Sequence, residues 1–208
     1  VMPLRGLDKD NILRPDTSLE KLATLKPAFD KRSGQGTLTA GNSTNLSDGA
    51  SAALLSSEAW AHANDKEIQA YLVDAQVAAV DFVAGEGLLM APAWAVAQLL
   101  KRNNLKLQDF DFYEIHEAFA AQVLCTLKAW ESEEFCKTKL GMDGALGSID
   151  RSKLNVVGSS LALGHPFAAT GARIVATAAK LLKEKGQGRV LISICTAGGM
   201  GVAAIVER

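Results

Sequence analysis

The last twenty residues, RVLISICTAGGMGVAAIVER, constrain the fold most. They are two apolar runs rich in Val and Ile, joined by a turn of small residues, which predicts two strands. So short a turn makes the pair an antiparallel hairpin. The preceding stretch, FAATGARIVATAAKLLKEKG, has helical periodicity and a stop at Gly186. Further upstream, LQDFDFYEIHEAFAAQVLCTLKAW divides into a short strand, Asp111–Ile115, and a helix, Glu117–Trp130. Strands and helices interleave, so the expected class is α/β, with a mixed sheet closed by the C-terminal hairpin.

The rest of the chain fits that class. APAWAVAQLLKRNN is a helix with proline in its first turn and basic residues at its end. IQAYLVDAQVAAVDF supplies one long or two short strands. TSLEKLATL opens with a capping-box pattern, Thr17 followed by Glu20, and predicts a short helix. The Ala-rich run after TLTAGNSTNLSDG is ambiguous by periodicity; it is read as a buried strand at Gly49–Ser56 and a helix from Glu58. Residues 1–16 are read as an irregular lead-in, and residues 131–152 as a polar insertion longer than an ordinary connection.

Charge and composition exclude several classes. Lys and Arg number 22 against 23 Asp and Glu, so there is no basic surface for nucleic acid. No apolar run reaches the about 18 residues of a membrane span. The cysteines, Cys125, Cys136 and Cys195, are odd in number and lack metal-ligand spacing. That usage points to free thiols in a reducing, cytoplasmic type of compartment, and to no metal.

Three loops at strand ends carry reactive residue types. EIHEAFA holds His116, GHPFAATGAR holds His165, and CTAGGMG holds Cys195. Open α/β sheets place ligands at such strand ends. Each residue also has a plain structural reading. A histidine at an element end can be a cap or a surface group, as His62 in EAWAHAND is read to be. A cysteine ending a buried strand can be a small hydrophobe. The joint pattern is more informative. Gly164 and Pro166 flank His165 and would hold its imidazole at the start of a helix, near backbone N–H groups. The glycines after Cys195 would let a thioester approach. Histidine and cysteine converging on one face are the groups that thiol chemistry requires.

TLTAGNSTNLSDGASA, EIHEAFAAQ, NVVGSSLALGHPFAATGARI and ICTAGGMGVAAIVE, in this order, together resemble the C-terminal half of the thiolase (acetyl-CoA acetyltransferase, 3-ketoacyl-CoA thiolase) family. The HEAF form resembles the fatty-acid-oxidation branch; most other thiolases have NEAF. The resemblance implies a five-stranded mixed sheet with helices on both faces. It implies acyl-CoA C-acetyltransferase chemistry: thiolytic cleavage of a 3-ketoacyl-CoA, or the reverse Claisen condensation, within fatty-acid β-oxidation. His165 would activate a nucleophilic cysteine, and Cys195 would move the proton at Cα of acetyl-CoA. His116 would replace the asparagine that positions an oxyanion-hole water. The backbone N–H of Ala197 would line a second oxyanion hole. Ala40 and Thr44 would line the coenzyme A pantetheine tunnel, and Phe119 would pack beside the acyl group. No cofactor is implied, because the coenzyme A thioester is the substrate.

The nucleophile itself has no good candidate. Cys125 is read as a buried helix residue, and Cys136 sits in the charged insertion without a small-residue elbow. The chain opens VMPLRGLDKD, without a leading Met. The expectation is therefore that residues 1–208 are a thiolase C-terminal domain, with the N-terminal half absent and no activity alone. The implied partners are acyl-CoA, the missing half, further copies in a homo-oligomer, and a hydratase/dehydrogenase subunit of β-oxidation. The rival reading is a non-catalytic thiolase-like binding or assembly module, against which the intact His165 and Cys195 motifs speak. Ketoacyl synthases share the two-half fold but would use histidine where this chain has Cys195.

Overall fold

A computed structural model describes Pro3 and residues 5–208. The predicted hairpin is its centre. Strand β3 (Arg189–Thr196) and strand β4 (Met200–Glu207) pair antiparallel along their whole length. The turn between them needs left-handed backbone at Gly198 and Gly199, with φ of 80° and 73°, which glycine adopts without strain. Strand β1 (Tyr71–Ala79) lies antiparallel on the far side of β4, and strand β2 (Phe112–Ile115) lies parallel to β3, giving the order β1-β4-β3-β2.

Alternation along the hairpin explains why its strands read as nearly continuous apolar runs. Leu191, Ala203 and Ile205 face one side; Val190, Ile192, Ala204 and Val206 face the other. Both faces are covered, so both sets must be apolar. There are seven α-helices among the described residues: α1 (Leu19–Ala23), α2 (Glu58–Ala63), α3 (Ala91–Asn103), α4 (Ala120–Glu131), α5 (Glu133–Thr138), α6 (Ser160–Leu163) and α7 (Thr170–Lys185). Helix α3 buries Val96, Leu99 and Leu100 on the first face, and α7 buries Ile174, Ala178 and Leu182 on the second. Pro92 lies in the first turn of α3, and Asn104 ends it in the left-handed region with φ 52°. Gly186 ends α7 as expected. No helix among the described residues is long and apolar enough to cross a membrane.

Several expectations are corrected. The sheet has four strands, not five, because Gly49–Ser56 forms no strand. Leu54 and Leu55 are 73% and 66% exposed. The run is built of Gly, Ala, Ser and Leu, with none of the β-branched residues that favour a pleated surface. The cap of α1 is Ser18, whose hydroxyl accepts from the Lys21 N–H; Thr17 instead donates to the Arg14 carbonyl. Helix α4 starts at Ala120, not Glu117. Phe119 is extended, bridges to Ser43, and leaves the Ala120 N–H to bond the Asn42 carbonyl at 2.9 Å. Helix α7 starts at Thr170, four residues beyond Pro166, because Ala168 has φ 63° and cannot continue a right-handed helix.

The polar insertion is part of the core layer. Its helix α5 buries Cys136, whose Sγ donates to the carbonyls of Ala129 and Trp130 at 3.4 Å. Phe135 stacks edge-on against Trp94 of α3 at 5.3 Å. Cys125, expected inside, is exposed on α4. The lead-in at residues 1–16 holds no helix or extended strand among its described positions, and residues 1, 2 and 4 lie outside the description.

These packing differences can be measured. Ile205→Ala should cost about 2–5 kcal/mol, as truncation of a buried aliphatic does. Leu54→Ala should stay within about 0.5 kcal/mol, as a surface change does. Chemical denaturation reads both, and a Leu54→Ala loss matching that of Ile205→Ala would restore the buried strand.

Candidate active site

The loop after β2 is the hub of the candidate site. Asn155 holds its base: the Asn155 amide accepts from the Ile115 N–H and donates to the Ile115 carbonyl, each at 2.9 Å. Its Nδ2 also donates to Glu117 Oε1 at 2.6 Å, and the other Glu117 oxygen accepts from the Leu161 N–H at 3.1 Å. The His116 N–H donates to the Ser193 carbonyl of β3 at 2.9 Å. On the other side the chain around Thr44 docks, its N–H and Oγ1 both donating to the Ala118 carbonyl, at 3.1 and 3.3 Å. Residues 116–119 are thus clamped between β3, α6 and the TAGNST segment.

Of the three predicted chemical residues, His116 lies on this loop, Cys195 sits against it, and His165 packs against His116. Cys195, in β3 and 5% exposed, lies beside the Ala118 backbone. Burial pushes its thiol up to about 11, partly opposed by backbone hydrogen bonds, so it is protonated at neutral pH. His165 lies in the link between α6 and α7, its ring centroid 5.0 Å from that of His116, edge to face. Gly164 sets up that link with φ 78°, and a Cβ there would collide with Ser47. Burial lowers the pKa of His165, and its Nδ1 has no partner among the described residues. His116 is 4% exposed and pushed down to about 4, first by burial and then by the charges of His165 and Arg173. Both imidazoles are neutral at pH 7.

The remaining predicted residues fall around this centre. Phe119 is half-buried and stacks edge-on against Phe29 at 5.7 Å. Ala197 is exposed in the hairpin turn, two residues beyond Cys195. Ala40 lines a cavity of about 1100 Å³ together with Lys9, Arg14, Asn45, Leu161 and Ala162. That cavity reaches α6, the helix that precedes Gly164 and His165. A second hollow of about 660 Å³, between Leu54, Tyr71 and Val175, touches none of the candidate residues. His62 is on the surface, 3.5 Å from Glu58.

Sequence reasoning missed a buried polar layer beneath the site. Glu114 is 0% exposed, and neither of its carboxylate oxygens has a partner among the described residues. Burial raises its pKa to about 7, opposed chiefly by the charge of Arg173. Arg173 donates to Ser160 Oγ at 2.8 Å, and Ser160 Oγ lies 2.8 Å from His116 Nδ1. The available signal was a glutamate inside the apolar strand FYEI and an arginine just ahead of Ile174 on α7. Charges in otherwise buried elements are retained only where something compensates them.

Comparison with known proteins shows the family. The family model "Thiolase, C-terminal domain" matches residues 66–208, and "Thiolase, N-terminal domain" matches residues 4–59. The chain belongs to the thiolase family. The segment carrying Ala40 and Thr44 aligns with the first domain of the family and the segment carrying the three chemical loops with the second. The 3-ketoacyl-CoA thiolases of Shewanella loihica and Shewanella baltica are 46% identical over 201 residues, covering 97% of this chain and 45% of theirs. The acetyl-CoA acetyltransferase of Bacillus anthracis superposes with a TM-score of 0.76 at 37% identity, over 96% of this chain and 45% of its own. Human mitochondrial 3-ketoacyl-CoA thiolase in complex with CoA gives 0.75 at 30% identity, over 95% and 44%. This thiolase chain therefore spans under half the length of these relatives.

Two measurements follow from the protonation states. The lowered pKa of His116, about 4 against 6.5, means the folded chain binds fewer protons than the unfolded one between those values. Its contribution is complete above about pH 6.5 and is lost towards pH 4, about 3 kcal/mol in all. His116→Asn should flatten that part of the stability curve, and an unchanged acid slope would contradict the assignment. With a disulfide-exchange reagent at pH 8, Cys125 should supply the fast phase, abolished by Cys125→Ser. Cys195 should react more slowly, with a rate that climbs towards pH 11; equal rates at pH 8 would count against it.

Proposed function

We propose that this chain supplies the acid–base side of a thiolase active site and holds a coenzyme A thioester along the cavity beside it. The observation that carries the reading is the convergence of His116, His165 and Cys195 on the clamped 116–119 loop. The cavity lined by Ala40 ends at the helix leading to His165, which is where a pantetheine arm must arrive. Lys9 and Arg14 at that cavity offer cations for phosphate groups. The similarity to a relative seen in complex with CoA supports the same ligand.

The protonation states suit thiolytic cleavage of a 3-ketoacyl-CoA. His165, neutral, takes the proton of a nucleophilic thiol, which adds to the 3-keto carbon. The oxygen that becomes anionic is met by N–H donors, the role assigned to the Ala197 backbone and to a donor positioned by His116. The Cα–Cβ bond then breaks, and the departing acetyl-CoA enolate takes its proton from Cys195, whose high pKa keeps that proton available. The acyl group is left as a thioester on the nucleophile. The Cys195 thiolate then removes the proton of incoming coenzyme A, whose sulfur takes the acyl group; the bond to the nucleophile breaks, and its thiolate recovers the proton held by His165. Phe119 is assigned to the wall beside that group. The proposal includes no metal or other cofactor, a part in fatty-acid β-oxidation, assembly as a homo-oligomer with a hydratase/dehydrogenase subunit, and a cytoplasmic compartment.

No cysteine of this chain suits the nucleophile's part. Cys136 is packed among Ala129 and Trp130, and Cys125 lies on the surface of α4. The thiol that His165 serves is assigned to another segment or domain. The purified chain should bind acetyl-CoA by titration calorimetry, and Ala40→Trp, which fills the cavity, should weaken binding tenfold or more. It should show no acetoacetyl-CoA turnover. Absence of binding at millimolar acetyl-CoA would overturn the cavity assignment, and turnover would overturn the assignment of the nucleophile elsewhere.

A further inference from the structure

We infer that Arg173 and Ser160 are positioning residues that fix His116 as its Nε2–H tautomer, so that it presents a neutral N–H donor towards the reacting centre. The inference rests on donor and acceptor capacity. Arg173 Nη2 and Ser160 Oγ are 2.8 Å apart, and a guanidinium only donates. Ser160 Oγ therefore accepts there. The same oxygen is 2.8 Å from His116 Nδ1. Ser160 is fully buried, and these are the two partners its hydroxyl has among the described residues. Were Nδ1 also a donor, the hydroxyl hydrogen would be buried with no acceptor, at a cost of about 1–3 kcal/mol. The consistent arrangement runs in one direction: Arg173 donates to Ser160, Ser160 donates to Nδ1, and the ring proton sits on Nε2.

The surroundings keep the start of this relay in place. Arg173 lies on α7 between the negative fields of Glu114 and Glu117. Glu117 is itself tied to Asn155 and to the Leu161 N–H, one residue beyond Ser160. The Arg173 guanidinium therefore cannot swing away without leaving a buried carboxyl uncompensated. At the other end, the His116 ring meets His165 edge to face. A protonated His116 would have to break the Ser160 bond or reverse it, since both ring nitrogens of an imidazolium donate. The relay thus makes histidine behave at this position as a fixed amide N–H would, with no charge.

Only the step from tautomer to oxyanion contact rests on the function proposed above; the tautomer is read without turnover. The chain has three histidines, so the 208-residue protein labelled with 15N-histidine gives three imidazole patterns in a long-range proton–nitrogen spectrum. His62→Gln and His165→Gln assign them. At pH 7 the wild type should show His116 with an unprotonated Nδ1 and a protonated Nε2. Ser160→Ala should make the two shifts converge as the tautomers mix, and Ser160→Thr, which keeps the hydroxyl, should restore them. Arg173→Gln should shift them in the same direction as Ser160→Ala but less far, since its amide can still donate. A wild-type spectrum with the proton on Nδ1 overturns the inference even if every variant unfolds. So does a Ser160→Ala spectrum identical to wild type with His62 and His165 unperturbed. Loss of acetyl-CoA binding with the tautomer intact would instead count against the functional reading alone.

Discussion

Everything at the site hangs on the β3–β4 hairpin being buried on both faces. Its alternating side chains meet α3 on one side and α7 on the other. Strand β3 then delivers Cys195 to one end of the sheet, and its Ser193 carbonyl anchors the backbone of His116. Because β2 runs parallel to β3, both strands end on the same side, and the loop carrying His116 rises next to Cys195. A reversal of β2 would put those two groups on opposite sides of the sheet.

The second constraint is charge in a place with little water. Burial is the first cause that keeps Cys195 protonated and both imidazoles neutral, joined at His116 by the charges of His165 and Arg173. A neutral base and a protonated acid are the states that the proposed thiolytic step requires. Arg173 is brought into the layer below them, held by the fields of Glu114 and Glu117. Its distance from the reacting groups, through Ser160, allows it to set a hydrogen-bond direction without placing a full charge on the substrate's path.

Much of this was legible in the residues. The hairpin, α3, α7, β2 and the three reactive loops can all be read from apolar periodicity, glycine and proline, and each forms near the positions expected. The misreadings share a cause. Gly49–Ser56 looked buried because it is apolar, yet Ala, Ser and Leu do not hold a strand without a neighbour to pair with. Glu117 and Phe119 suit the helix expected there, yet pairing with Asn42 and Ser43, over seventy residues earlier in the chain, draws this stretch out into a loop. Cys125 is spaced like a core residue, but α4 turns that side outward.

The sequence by itself determined the α/β class and the hairpin, and it singled out His116, His165 and Cys195 as candidates. These follow from local periodicity and from residue types that sit in recognisable short motifs. Only the tertiary structure decided which polar groups meet: His116 with Ser160 and Arg173, and Asn155 with both Ile115 and Glu117. Hydrogen-bond direction, burial and the pKa values they set depend on contacts between segments distant along the chain. Those contacts leave no periodic trace in the order of the residues.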